Sequence, residues 1–219
     1  MTPSPWNAVL FDLDGTIADT IPLILACYRE MMLEHFGHEG DPEAWLRTVG
    51  RPLPVTLREI ASSEAQALAL RRTYKRVQEG LHDEMVRSFE GIPEIVHREL
   101  ERGSCQAIVT SKGAPMTRRT LDACGVADAF SVVITADDVH RPKPHAEPVH
   151  RALDRLGVTA SRRVVFIGDS VHDIEAGHAA GVTTIAVTWG ALDREALEAA
   201  RPTHLVEAPT ELQTILEGS

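Results

Sequence analysis

Cysteine is scarce in this chain, and the shortage limits what the fold can rest on. Cys27, Cys105 and Cys124 are odd in number and far apart, so they make no disulfide framework. Read as three buried apolar thiols, they predict a reducing, cytoplasmic setting. Excess positive charge is also missing. With 22 Lys and Arg against 32 Asp and Glu, the formal net charge is −10 and the pI is near 5.4. That balance provides no nucleic-acid footprint and no attraction to an anionic membrane surface, and any small anionic substrate then needs a locally positive pocket. No stretch approaches the roughly 18 apolar residues of a membrane span. The segment MTPSPWNAVLFD has neither the basic flank nor the long apolar run of a signal peptide, and the expectation is a soluble, intracellular protein. Internal repeats and low-complexity tracts are absent, although LREIASSEAQALALRRTYKRVQEG is rich in strong helix formers.

Set against these absences is ordinary globular content, 43% hydrophobic over 219 residues, enough for one large domain or a core carrying a smaller insert. Short apolar, β-branched runs begin at Ala8 (AVLFD), Gln106 (QAIVTS), Arg163 (RVVFIGDS) and Thr183 (TTIAVTW), and FSVVITADD from Phe130 reads as a fifth. Their length and composition suit strands buried on both faces. Between them lie helical patterns such as GIPEIVHRELERG, AEPVHRALDRLG and VHDIEAGHAAG, several ending in glycine. This alternation predicts an α/β fold with a doubly wound parallel sheet. Residues 18–87 break the rhythm, with helical patterns and no convincing strand, and are expected to form an all-helical insert. Leaving just after the first strand and returning near SFEGIPEIV, it sits over the carboxyl ends of the strands, where open α/β sheets bind ligands.

Polar residues collect at those strand ends. Asp12 and Asp14 follow the first run, Thr110 and Ser111 the one at Gln106, and Asp169 and Ser170 the one at Arg163; Lys143 lies in HRPKPHAEP, after the run at Phe130. Two carboxylates one residue apart repel unless a cation or reacting group sits with them. Carboxylates are hard oxygen ligands for Mg²⁺, which usually takes one or two of them together with substrate phosphate oxygens. A carboxylate nucleophile, a lysine and hydroxyl donors are the parts that phosphoryl transfer needs.

DLDGT, VTS, RPKP and GDSVHD, in that order and with a helical insert behind the first, resemble the haloacid dehalogenase superfamily, specifically its phosphatases with a helical cap, among them the phosphoglycolate phosphatases. The resemblance covers essentially the whole chain. It implies a Rossmann-like core of residues 1–17 and 88–219 with a cap of 18–87. Asp12 is then the nucleophile and Asp14 the general acid and base. Asp12, the backbone carbonyl of Asp14 and Asp169 hold Mg²⁺, with Asp173 in support. Lys143 pairs with Asp12 and the phosphoryl group, and Thr110 binds the phosphate, with Ser111 the alternative or its companion. Gly15 and Thr16 join Ser111 in binding substrate, and residues 14–19 form the hinge into the cap. The implied substrate is a small phosphorylated metabolite.

Within the insert, TVGRPLP (48–54) is a Gly- and Pro-punctuated turn able to reach the active site, where Arg51 is a candidate for bidentate pairing with a substrate carboxylate or second phosphate. The basic cluster RRTYKR (71–76) is read as a solvated helix face, its functional alternative being recruitment of anionic substrate. His35 with His38, and His140 with His145, lack cysteines at ligand spacing and give no zinc site. Three other activities share this framework. A dehalogenase is disfavoured by the acid at Asp14. A phosphomutase akin to β-phosphoglucomutase keeps both aspartates, and a pyrophosphatase fits the same core. A non-catalytic binding protein requires a lost catalytic group, and none is missing. Oligomeric state is not legible.

Overall fold

The computed structural model describes residues 3–218. The chain first forms strand β1 (Ala8–Phe11), a short strand β2 (Ala18–Asp19), helices α1 (Ile21–Phe36), α2 (Pro42–Leu46), α3 (Leu53–Ile60) and α4 (Glu64–Met85), and a short strand β3 (Arg87–Ser88). It continues as α5 (Ile92–Glu101), β4 (Cys105–Val109), α6 (Ala114–Ala123), β5 (Val132–Ile134), α7 (Glu147–Leu156), β6 (Val164–Gly168), α8 (Val171–Ala180), β7 (Thr183–Val187), α9 (Arg194–Ala199), β8 (His204–Val206) and α10 (Pro209–Glu217).

Six strands form one parallel sheet in the order β5-β4-β1-β6-β7-β8. Strand direction of growth reverses at β1, so the crevice expected of a doubly wound sheet opens at its carboxyl end. Side chains alternate along each strand and divide the core in two. Val9, Phe11, Ile108, Val165 and Ile167 pack with Ile92, Val96, Leu212 and Leu216 of α5 and α10. Ala8, Leu10, Val109, Val164 and Phe166 pack on the opposite face with Val149 and Leu153 of α7 and Ala176 of α8. This double burial explains why the strands read as unbroken apolar runs. The sixth strand, β8, was not among the five expected. It has three residues at the sheet edge, beginning with an exposed histidine, and so carries little apolar signal.

Helices α1 to α4 form the helical insert, and the apolar cluster of one sheet face runs on into it through Leu23, Cys27 and Met31 to Leu57, Leu70 and Tyr74. Tyr28 stacks on Trp45 with ring centroids 4.5 Å apart, and Trp45 meets Tyr74 at 6.1 Å. The insert is not wholly free of strand, contrary to expectation. Ala18–Asp19 pairs antiparallel with Arg87–Ser88, tying the outgoing and returning linkers together, and the Phe89 amide donates to the Ile17 carbonyl at 3.0 Å. Two residues are too few to show a period of two in a sequence. Cys27 and Cys124 are buried as expected, whereas Cys105, at the start of β4, is exposed. Among the described residues no helix is long and apolar enough to cross a membrane.

Phe166, at the centre of β6 and fully buried, supports the strand from which Asp169 emerges. Phe166→Ala should cost about 3–5 kcal/mol of stability, through lost burial and the cavity left behind. Urea denaturation measures this directly, and a loss below about 1 kcal/mol would show that the core at this point collapses freely.

Candidate active site

The register of the sheet brings the strand ends level. Phe11 pairs with Ile108 on one side and Ile167 on the other, so Asp12, Thr110 and Asp169 leave three adjacent strands at one edge. The Asp12 amide donates to the Ile167 carbonyl at 2.8 Å, and the Thr110 amide donates to the Ile134 carbonyl at 2.9 Å. Asp173 arrives from the first turn of α8, where it forms a capping box with Ser170. The Ser170 hydroxyl donates to Asp173 Oδ2 at 2.6 Å and accepts from the Asp173 amide at 3.3 Å. Asp12, Asp169 and Asp173 are all buried, with carboxylate oxygens within 4.8 Å of one another. Lys143 enters from the loop before α7 and is buried with them. Its Nζ donates to Asp173 Oδ1 at 2.6 Å and to the Val109 carbonyl at 3.3 Å, and lies 3.0 Å from Asp12 Oδ1.

Three carboxylates share one ammonium, so negative charge is in excess in a dry place. Burial, reinforced by Asp173 and Asp14 and opposed by Lys143, pushes Asp12 from the ordinary 3.8 to about 7. Burial, with Asp12 and Asp173, also drives Asp169 well above the usual carboxylate range. Burial pulls the Lys143 ammonium down, but Asp12 and Asp173 outweigh it and hold the group above an ordinary lysine. Asp12 Oδ1 is buried without a hydrogen bond despite its nearness to Lys143. An oxygen-only donor set with surplus charge and an orphaned carboxylate oxygen fits a hard divalent cation.

Asp169 is held by a tight cradle. Its Oδ2 accepts from the Ala191 amide at 2.7 Å, and Thr16 Oγ1 approaches Oδ1 at 3.5 Å. A Cβ at Gly190 or at Gly15 would overlap the Asp169 carboxylate, and Gly15 also has φ +77°, so both positions require glycine. Gly15 and Thr16, expected among the substrate-binding residues, are thus placed against Asp169 and do not line the cavity described below.

Asp14 turns away from the carboxylate cluster. Its two oxygens accept from Lys112 Nζ at 2.6 and 2.8 Å, and Oδ1 also accepts from the Thr20 hydroxyl at 2.7 Å. Lys112 is absent from the sequence-based expectations. Its only signal was to follow Thr110 and Ser111 directly in VTSK, at the same strand end. Thr110 Oγ1 accepts from the Lys112 amide at 3.2 Å, and the Ser111 hydroxyl donates to the Gly50 carbonyl at 2.6 Å, joining the strand end to the turn at 48–54.

Between sheet and insert lies a cavity of about 270 Å³. Asp12, Asp14, Thr110, Ser111 and Lys112 line its floor, and Trp45, Arg51, Arg71, Tyr74 and Lys75 are on the insert side. Arg51 therefore reaches the cavity as expected of its turn, but its guanidinium is occupied by both oxygens of Glu59, one contact being Nη1 to Oε2 at 3.0 Å. In the basic cluster Arg72, Lys75 and Arg76 are exposed, as a solvated helix face requires, and Arg76 pairs with Glu34; Arg71 is half-buried, and Arg71 and Lys75 also line the cavity. Positions i and i+4 share a helix face, which the run RRTYKR conceals when read as a cluster.

The chain matches the haloacid dehalogenase-like hydrolases over residues 9–187. It is 34% identical over 212 residues to the pyrophosphatase PpaX of Bacillus velezensis, covering 97% of each chain, and 33% identical over 210 residues to the pyrophosphatase PpaX of Bacillus cereus, covering 96% of each. Among solved structures it superposes on a hydrolase from Pseudomonas syringae with a TM-score of 0.87 at 23% identity, covering 97% of this chain and 98% of that one. It also superposes on a predicted phosphoglycolate phosphatase from Haemophilus somnus with a TM-score of 0.85 at 18% identity, covering 96% and 98%. At such identities the two superpositions establish the fold alone. Fold and sequence together define a hydrolase with a doubly wound parallel sheet and an inserted helical unit. The chain belongs to the haloacid dehalogenase-like hydrolase family.

The raised Asp12 carries a signature in stability. Between about pH 4 and about pH 7 the folded protein keeps a proton on this carboxyl that the unfolded chain has released, so Asp12 makes stability fall as pH rises through that window. Thermal melting in a chelating buffer should show this fall, with a shallower slope in Asp12→Asn. Adding Mg²⁺ above about pH 7 should restore stability in the wild type and less so in the variant. Equal slopes for the two proteins would refute the assigned ionisation.

Proposed function

We propose that this chain is a Mg²⁺-dependent phosphomonoester hydrolase that acts on a small phosphorylated metabolite through an aspartyl-phosphate. The observation that carries this reading is Asp12 Oδ1, buried at the cavity floor, 3.0 Å from Lys143 Nζ and without a hydrogen bond. A carboxylate so placed is oriented and partly neutralised, as a nucleophile at phosphorus must be. Asp12, Asp169 and Asp173 are the side chains that would hold Mg²⁺. When bound, that cation offsets the surplus carboxylate charge and so admits a phosphate dianion.

In the first half-reaction the Asp12 carboxylate forms a bond to phosphorus as the bond to the leaving oxygen breaks, and Asp14 gives that oxygen a proton. In the second, Asp14 takes a proton from water as the water attacks the aspartyl-phosphate, which releases phosphate and restores both carboxyl groups. Lys112 and Thr20 hold Asp14 in orientation, and incoming phosphoryl oxygens compete for the Lys112 ammonium. Thr110 and Ser111 place hydroxyls at the same floor. The unit of residues 18–87 acts as a cap that limits bulk water over the reacting group. Lys143 opposes the burial that raises Asp12 and holds its carboxylate in place.

Pyrophosphate is the second reading of the substrate, favoured by the pyrophosphatases named above. Its hydrolysis uses the same two aspartates, with phosphate as the leaving group. In Mg²⁺ buffer, Asp12→Asn should reduce turnover of an aryl phosphate to background, and near-normal activity would overturn the assignment. Phosphate release from a sugar phosphate, measured against isomer formation, separates the hydrolase from a mutase.

A further inference from the structure

The protein is acidic overall, yet the cap side of its cavity presents cations. Arg51 is already neutralised by Glu59. Arg71 and Lys75 are not. They stand four residues apart on α4 and line the cavity with Tyr74 between them, and among the described residues neither has a hydrogen-bond or ion-pair partner. Among the described residues, Glu79, a further turn along, is the one acid that the insert contributes to the lining. The floor beneath already has its own cations committed, Lys112 to Asp14 and Lys143 to Asp12 and Asp173. Arg71 is half-buried and Lys75 exposed, and both line the cavity, so together they offer unpaired positive charge to an anion bound above the floor.

We propose that Arg71 and Lys75 bind the second anionic group of a doubly anionic substrate, a compact molecule with a phosphoryl or carboxylate group a few atoms from the phosphoryl group transferred to Asp12. This rests on the hydrolase reading above and adds the residues that select the substrate. The cavity of about 270 Å³ holds a small molecule with two anionic groups and a short link. Arg71 supplies a planar fork for either anion and Lys75 a point charge. The role anticipated for Arg51, which pairs with Glu59, is assigned in this proposal to Arg71 and Lys75 on α4. Pyrophosphate and 2-phosphoglycolate are the two simplest probes of this chemistry, one ending in phosphate and the other in carboxylate.

The test compares kcat/KM of the full chain with Mg²⁺ on pyrophosphate, 2-phosphoglycolate and p-nitrophenyl phosphate, whose tail is uncharged. In Arg71→Gln/Lys75→Gln, the preference for a doubly anionic probe over the aryl phosphate should fall by about tenfold or more, mostly through KM. Arg71→Lys/Lys75→Arg should recover most of it. Arg72→Gln, on the same helix but outside the cavity lining, should leave the preference intact. A fall confined to pyrophosphate assigns a second phosphoryl group, one confined to phosphoglycolate assigns a carboxylate, and a fall for both assigns either anion. An unchanged preference, an equal fall in Arg72→Gln, or a wild type active on the aryl phosphate alone overturns the assignment while leaving the hydrolase reading standing. A wild type inactive on all three probes overturns both.

Discussion

One buried ammonium among three buried carboxylates is the constraint from which the rest of this structure follows. Taking an ion out of water costs several kcal/mol unless it is paired, and Lys143 pairs at once with Asp12 and Asp173 while Asp169 depends on backbone and hydroxyl donors. The compensation is incomplete. Burial, reinforced by the neighbouring carboxylates, lifts Asp12 to about 7 and holds Asp169 above its ordinary range, a penalty that a bound cation would offset. A site built for packing alone would have replaced these groups with apolar side chains of similar volume. Retaining them makes sense for a site that receives a cation and an anion together.

The parallel sheet makes that concentration of charge possible. Level register between β1, β4 and β6 delivers Asp12, Thr110 and Asp169 to one edge without any of them leaving the strand-end position. The capping box at Ser170 then turns the first helical turn of α8 inward, and Asp173 both caps the helix and accepts from Lys143. Local structure and site chemistry use the same atoms here, so substitutions at Ser170 or Asp173 disturb both. The helical insert meets this edge through the Ser111 to Gly50 hydrogen bond, and the cavity between them has Asp12 and Asp14 on its floor and Arg51, Arg71 and Lys75 on the insert side.

Much of this is legible in the sequence. The buried parallel strands announce themselves as apolar runs, Asp12, Asp14, Lys143 and Asp169 follow such runs, and Asp173 is expected from the family resemblance of GDSVHD. What stayed hidden was set by three-dimensional contacts. Lys112 lies one residue beyond the hydroxyls that drew attention, and only the coordinates show its side chain turning back to Asp14. Gly190 is a chain-distant glycine whose necessity comes from the closeness of Asp169. Arg51 looked free in sequence because Glu59, eight residues on, gave no sign that it would occupy the guanidinium. Arg71 and Lys75 were submerged in a basic cluster whose division between cavity and solvent depends on how α4 is rotated. The strand β8 and the β2–β3 pair were too short to show a period.

The most direct test of the account is to find where the phosphoryl group goes. The protein should be mixed with a ³²P-labelled phosphate ester and Mg²⁺, quenched in acid within a single turnover, digested and mapped. The account predicts transient label on the peptide containing Asp12, none in Asp12→Asn, and decay of the label as phosphate appears. Turnover that proceeds with no labelled protein, or with label on any other residue, would contradict it.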